Sequence, residues 1–184
     1  MERLNPNSRR DPFGSKINRD HSAMLAYAVP WVSILLGSLA PLLPVISPAP
    51  ILPPVGFIML LAWRLLRPGL LPLWVGLPLG AFDDLFSGQP FGFGILLFTL
   101  MLLATEAIQI RFPWPNFLHD WLTAALILAV YLIAGAILAG IGPADIHLRI
   151  IMPQLVLSIV LFPLAAHLVA ALDRLRLLRV RRLS

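Results

Sequence analysis

The sequence predicts an all-α integral membrane protein, a bundle of about six transmembrane helices, and three observations predict it. Of 184 residues, 59% are hydrophobic and 12% are charged, half the share of charge that a soluble domain carries. Mean hydropathy is +0.86, so a water-facing surface cannot be assembled and lipid must be the solvent over most of the chain. The formal net charge of +5 is concentrated: Arg3, Arg9, Arg10, Lys16 and Arg19 precede the apolar region, and Arg174, Arg176, Arg179, Arg181 and Arg182 follow it. With zero cysteines, disulfides and thiolate metal sites are excluded.

Residues 1–23 form a polar, Pro- and Asn-containing tail, expected at the cytoplasmic surface. Its "SRRDPF" comes close to a twin-arginine export signal, but Asp11 and Pro12 intrude and the apolar stretch that follows is a full span. The spans are expected near residues 24–44, 51–66, 70–86, 91–110, 117–139 and 148–172. A helix needs about 20 residues to cross a hydrocarbon core of about 30 Å. The last three segments meet that standard. The second and third are short, and Pro72 and Pro78 interrupt the third.

Charge placement fixes the orientation. With six spans beginning and ending inside, the cytoplasmic parts hold thirteen of the fourteen basic residues, and Arg149 is the exception. Dropping the third span would move the C-terminal arginines outside. Both termini are therefore expected to be cytoplasmic, with the spans over residues 24–172 and a basic tail at 173–184. That tail reads as a helix end with a cationic last turn, or alternatively as an amphipathic segment on the inner leaflet. A nucleic-acid reading of the arginines lacks any accompanying recognition motif, so membrane lipids are the expected partners of the basic ends.

Prolines inside or beside spans (Pro30, Pro41, Pro72, Pro78, Pro153, Pro163) predict bent helices, tolerated only where protein or water satisfies the freed carbonyls. Close helix contacts are expected at small residues, "GAILAGIG" from Gly135 to Gly142 and the pair Gly76 and Gly80. No internal repeat of the inverted-transporter kind is evident.

Ionisable groups at membrane depth are costly and are functional candidates by default. Asp83 and Asp84 lie toward the outer end of the third segment. Neighbours on a helix point about 100° apart, so one is expected to face the bundle and the other to reach the headgroups. Glu106, with Gln109 nearby, approaches the leaflet of Arg64 and Arg67, which makes an intramembrane Glu–Arg pair plausible. Asn116 and Asp120 suit the start of the fifth span as cap and first-turn charge. His119, His147 and His167 show no metal-ligand spacing. Phosphate-binding glycine motifs, G-x-S-x-G and HExxH do not occur. Adjacent aspartates on one helix do not supply an intramembrane protease dyad. The expectation is a protein that is not an enzyme, with no cofactor, no metal and no nucleic-acid partner.

The stretch "GAFDDLFSGQPFG" has the form G-x-x-x-D-x-x-x-G-x-P-x-G, at Gly80, Asp84, Gly88, Pro90 and Gly92. With its apolar flanks, over residues 51–131, it resembles the MreD family, small multi-span components of the bacterial rod-shape machinery. In that alignment the family's aspartate falls on Asp84 and Asp83 is an additional acid. The resemblance implies a fold akin to the substrate-binding subunits of energy-coupling-factor transporters. It also implies a non-enzymatic role in the inner membrane, binding MreC and linking MreB filaments to RodA and the penicillin-binding transpeptidase. The alternative function is a transport subunit that binds a small molecule or lipid among bent helices. The long charged N-tail departs from the family. Physically, Gly80 permits close approach, Asp84 can accept hydrogen bonds from the turn, and Gly88 with Pro90 sets the reversal.

Overall fold

The computed structural model describes residues 23–42, 52–112, 116–138 and 144–176. Most of the N-tail, the end of the C-tail, and Ala139, Gly140 and Gly142 of the small-residue run lie outside the described residues. Among the described residues six α-helices follow one another: α1 Ala23–Ser38, α2 Val55–Leu66, α3 Gly76–Asp84, α4 Phe93–Arg111, α5 Phe117–Leu138 and α6 Ala144–Arg176, with short 3-10 turns at Ala40–Leu42 and Leu73–Val75. No strand occurs among the described residues.

The outer faces are apolar. Leu122, Leu126, Val130, Ile133 and Ile137 project from α5 at helical spacing, and Val156, Val160, Leu164 and Leu168 do the same on α6. All are largely exposed. A surface of this kind is stable against lipid and a liability against water, which makes the chain a helical membrane protein. Three helices are long and apolar enough to cross a bilayer: Phe93–Arg111, Phe117–Leu138 and Ile151–Arg176.

The shorter helices differ from six uniform spans. α3 has 9 residues, an axial length of about 14 Å at 1.5 Å per residue. Pro72, in extended conformation, breaks the third segment before the 3-10 turn, so only its second half is helical. α2 has 12 residues and is the centre of the bundle: every residue from Gly56 to Leu65 is buried. A helix apolar all round is a core helix, and here α1, α4, α5 and α6 all pack on it. Because protein encloses it, its length need not match the bilayer. Phe57 anchors this centre, with its ring 4.2 Å from Tyr131 of α5 and 5.4 Å from Phe98 of α4.

The proline-freed carbonyls find partners. Pro163 inside α6 has no N–H for the carbonyl of Ile159, four residues earlier. The indole N–H of Trp121 on α5 donates to that carbonyl at 3.1 Å, so the bend in one helix becomes a tie to the next. In α1, Ser33 donates to the Pro30 carbonyl at 2.8 Å and accepts from the Trp63 indole at 2.8 Å. A proline inside one helix thus leaves a carbonyl that a neighbouring helix bonds.

Candidate functional site

The α3–α4 hairpin is built on absent side chains. A Cβ on Gly80 would lie 2.5 Å from the Gly94 carbonyl oxygen and 2.6 Å from the Ile95 Cα, and one on Gly76 would lie 2.9 Å from the Thr99 Cα. The two backbones therefore touch along one side of α3, as small residues four apart permit. The reversal between the helices needs left-handed backbone at two places, Gly88 at φ +68° and Gly92 at φ +100°, conformations that cost side-chain-bearing residues about 1–2 kcal/mol. Pro90 lies between them, and its carbonyl accepts the Phe93 amide at 3.1 Å.

Asp84 closes this hairpin. Its Oδ1 accepts the Gly94 amide at 2.6 Å, and its Oδ2 accepts Gly92 at 2.8 Å and Ile95 at 3.4 Å. The first amides of α4 have no partner within their own helix. A carboxylate from the preceding helix supplies it, at the end where the helix dipole favours negative charge. Gly80, Asp84, Gly88, Pro90 and Gly92 are thus one device, brought together at one end of the bundle. An acid four residues from each flanking glycine is needed because α3 must present the carboxylate while its glycine face touches α4.

Asp83 turns away from the hairpin. It is as buried as Asp84, both at 7% exposure, so neither acid reaches outward to the headgroups, contrary to the expectation above. The reason is the enclosure of α3. One side packs on α4, and the side carrying Asp83 faces a cavity of ≈ 390 Å³ among the ends of α1, α2, α5 and α6. Its polar lining is Ser38, Asp83, Ser87, Gln89, Tyr131 and Gln154. Gly56 of α2 lets the acid in, since a Cβ there would lie 2.9 Å from Asp83 Oδ1. Ser38 neighbours the carboxylate, yet its Oγ, like Ser87 Oγ and Gln89 Oε1, is buried without a completed hydrogen bond among the described residues. Gln154 donates to the Leu52 carbonyl at 2.6 Å, pinning the chain that leads into α2.

No family model matches the chain, and neither does any curated protein or solved structure.

The opposite end of the bundle carries basic side chains and, among the described residues, three ion pairs. Arg64, with its side chain 5% exposed, reaches Glu106 Oε2 at 3.2 Å and also donates to the Leu71 carbonyl at 3.2 Å. Gln109 donates to the Arg64 carbonyl at 3.2 Å, so α2 and α4 are joined twice. Arg67 does not share Glu106. It pairs with Asp173 of α6, and Arg176 Nη2 lies 2.9 Å from the other Asp173 oxygen. Asn116 Oδ1 accepts the Leu118 amide at 3.2 Å, an N-terminal cap for α5. His167 is exposed, with Nδ1 2.7 Å from the Pro163 carbonyl. Among the described residues no group of three or more His, Cys, Asp and Glu is placed to hold a metal.

Sequence reasoning expected a groove among the bent helices but missed its polar lining. Ser38, Ser87, Gln89, Tyr131 and Gln154 are spread over more than a hundred positions and share no spacing. The available signals were the second acid of "DD" and the glycine of "PPVG", a small residue in a helix start that is otherwise bulky.

Proposed function

We propose that the chain is a non-enzymatic scaffold subunit of the MreD kind. In this reading it lies in the bacterial inner membrane with both termini cytoplasmic, binds MreC, and helps couple MreB filaments to RodA and the penicillin-binding transpeptidase. One observation carries the proposal: the stretch that resembles the family folds as a single capped hairpin, with Asp84 bonded to three amides of α4. Such a device spends its polar groups on holding backbone, leaving none for turnover. It displays an apolar outer face, with Trp74, Leu77, Leu85 and Phe91 all more than half exposed, suited to a partner's transmembrane helix. The gathering of Arg64, Arg67, Arg111, Arg174 and Arg176 at the other end supports a cytoplasmic location for that end.

The test is co-purification of MreC from membranes with wild type, Asp84→Ala and Phe91→Ala. Asp84→Ala is expected to lose partner and protein level together, and Phe91→Ala to lose partner at normal level. Unchanged level and MreC recovery in Asp84→Ala would refute the proposal. A second reading, a small-molecule-binding transport subunit akin to those of energy-coupling-factor systems, is favoured by the polar cavity beside Asp83. Mass spectrometry of a ligand retained through purification, with no cell-wall partner, would select it.

A further inference from the structure

We infer that the cavity beside Asp83 is a binding site for a small organic ammonium compound with an apolar body. The inference stands apart from the scaffold reading, because it rests on the opposite side of α3.

The polar groups that face the cavity include one carboxylate and several oxygens without a partner. Asp83 contributes a carboxylate, Gln89 an unpaired Oε1, and Ser38 and Ser87 hydroxyl oxygens that complete no bond among the described residues. Burying a carboxylate without a counter-charge is costly, and so is each polar atom left without a partner. Among the described residues no Lys, Arg or His belongs to the lining. A protonated amine answers all of these deficits at once, since an ammonium offers three donors and one positive charge. An anionic or phosphate-bearing ligand would meet the carboxylate with no cation to offset it.

The rest of the wall is apolar, with Phe93, Tyr131 and Leu132 on one side and Ile151 on another. Phe93 and Tyr131 lie with ring centroids 5.7 Å apart, so an aromatic or branched body has flat surface to lie against. The volume of ≈ 390 Å³ falls within the range of about 300–1,000 Å³ typical of small-molecule sites.

The experiment uses the full chain in nanodiscs of phosphatidylcholine at pH 7, with three probes of one shape: phenethylamine, neutral 2-phenylethanol and anionic 3-phenylpropionate. Saturable binding is measured by equilibrium dialysis and by thermal stabilisation. Phenethylamine is expected to bind at least tenfold more tightly than either isostere, and Asp83→Asn to abolish that preference. Equal binding of the three probes, or no saturable binding of the amine up to millimolar concentration, overturns the inference. So does an amine preference that survives in Asp83→Asn. If that variant fails to accumulate, the comparison of probes on wild type still decides. Repeating the measurement with phosphatidylethanolamine in the nanodiscs distinguishes the source. Unchanged binding assigns the site to a free amine and competition assigns it to a lipid headgroup ammonium, and both support the shared chemistry.

Discussion

The two sides of α3 solve opposite problems with adjacent residues. On the α4 side the backbones touch, a Cβ has no room at Gly80, and Asp84 is bonded to three amides. On the other side, one residue earlier in the chain, Asp83 is equally buried and faces a cavity in which three polar atoms lack partners among the described residues. Identical chemistry thus serves two ends. A carboxylate surrounded by backbone donors holds structure. A carboxylate beside a cavity with no cation among the described lining is held by the structure, at a cost, and is available to something else. The contrast teaches that burial alone does not rank the acids; the satisfaction of their lone pairs does.

The largest expected effect breaks the packed side. Gly80→Leu drives a side chain into the Gly94 carbonyl and the Ile95 backbone, neither of which can rotate away. Overpacking against flexible side chains costs about 1–3 kcal/mol, and against backbone the hairpin must open, so loss of about 4 kcal/mol or more is expected. The measurement is the fraction of monodisperse protein after heating in detergent. A variant as heat-resistant as wild type would show that α3 and α4 do not meet at this glycine.

Next is Asp84→Ala, which strips acceptors from three buried or half-buried amides and the charge from a helix N-terminus. About 2–4 kcal/mol should be lost. The sequence reading expects Asp84→Asn to keep most of the turn. The geometry sharpens that: both oxygens are in use, Oδ1 to Gly94 and Oδ2 to Gly92 and Ile95. Asn retains one and presents an NH2 to donors at the other, so its midpoint should fall between wild type and Ala. An Asn variant indistinguishable from wild type would mean that one oxygen suffices.

The packed side was legible in the sequence and the open side was not, for a physical reason. Gly80, Asp84, Gly88, Pro90 and Gly92 act on their near neighbours in the chain, so their roles appear as spacing. Arg64 and Glu106 are 42 positions apart, but a charge in an apolar segment announces that it needs a partner, and few partners exist. The positions of the helices were legible too, because apolar length and basic ends mark them. The failure of α3 to run a full span has a local cause in Pro72, which the sequence shows, and a tertiary permission, enclosure by α1 and α4, which it does not. Ser38, Gln89 and Gln154 carry no such announcement. A serine at a helix end reads as a turn residue, and only the meeting of α1, α2, α5 and α6 turns it into the wall of a cavity.

The smallest effect on stability, and the one that separates the two sides most cleanly, is expected from Asp83→Asn. If Asp83 held structure as Asp84 does, removing its charge would cost several kcal/mol, as breaking a buried pair does at about 3–5 kcal/mol. The described lining offers it no cation, and its neighbouring donor is the hydroxyl of Ser38. Neutralising it removes a desolvated charge and leaves a side chain of the same shape, one that can donate to Ser38 or Gln89. The expected change in the heat-resistance midpoint at neutral pH is therefore within about 1 kcal/mol of zero, and on the stabilising side if the cavity is dry. A loss matching that of Asp84→Ala would show that Asp83 is anchored after all, and the distinction between a satisfied acid and an available one would fail. Near-neutral stability, together with loss of amine preference, would mean that one helix carries structure on one face and recognition on the other, separated by a single residue.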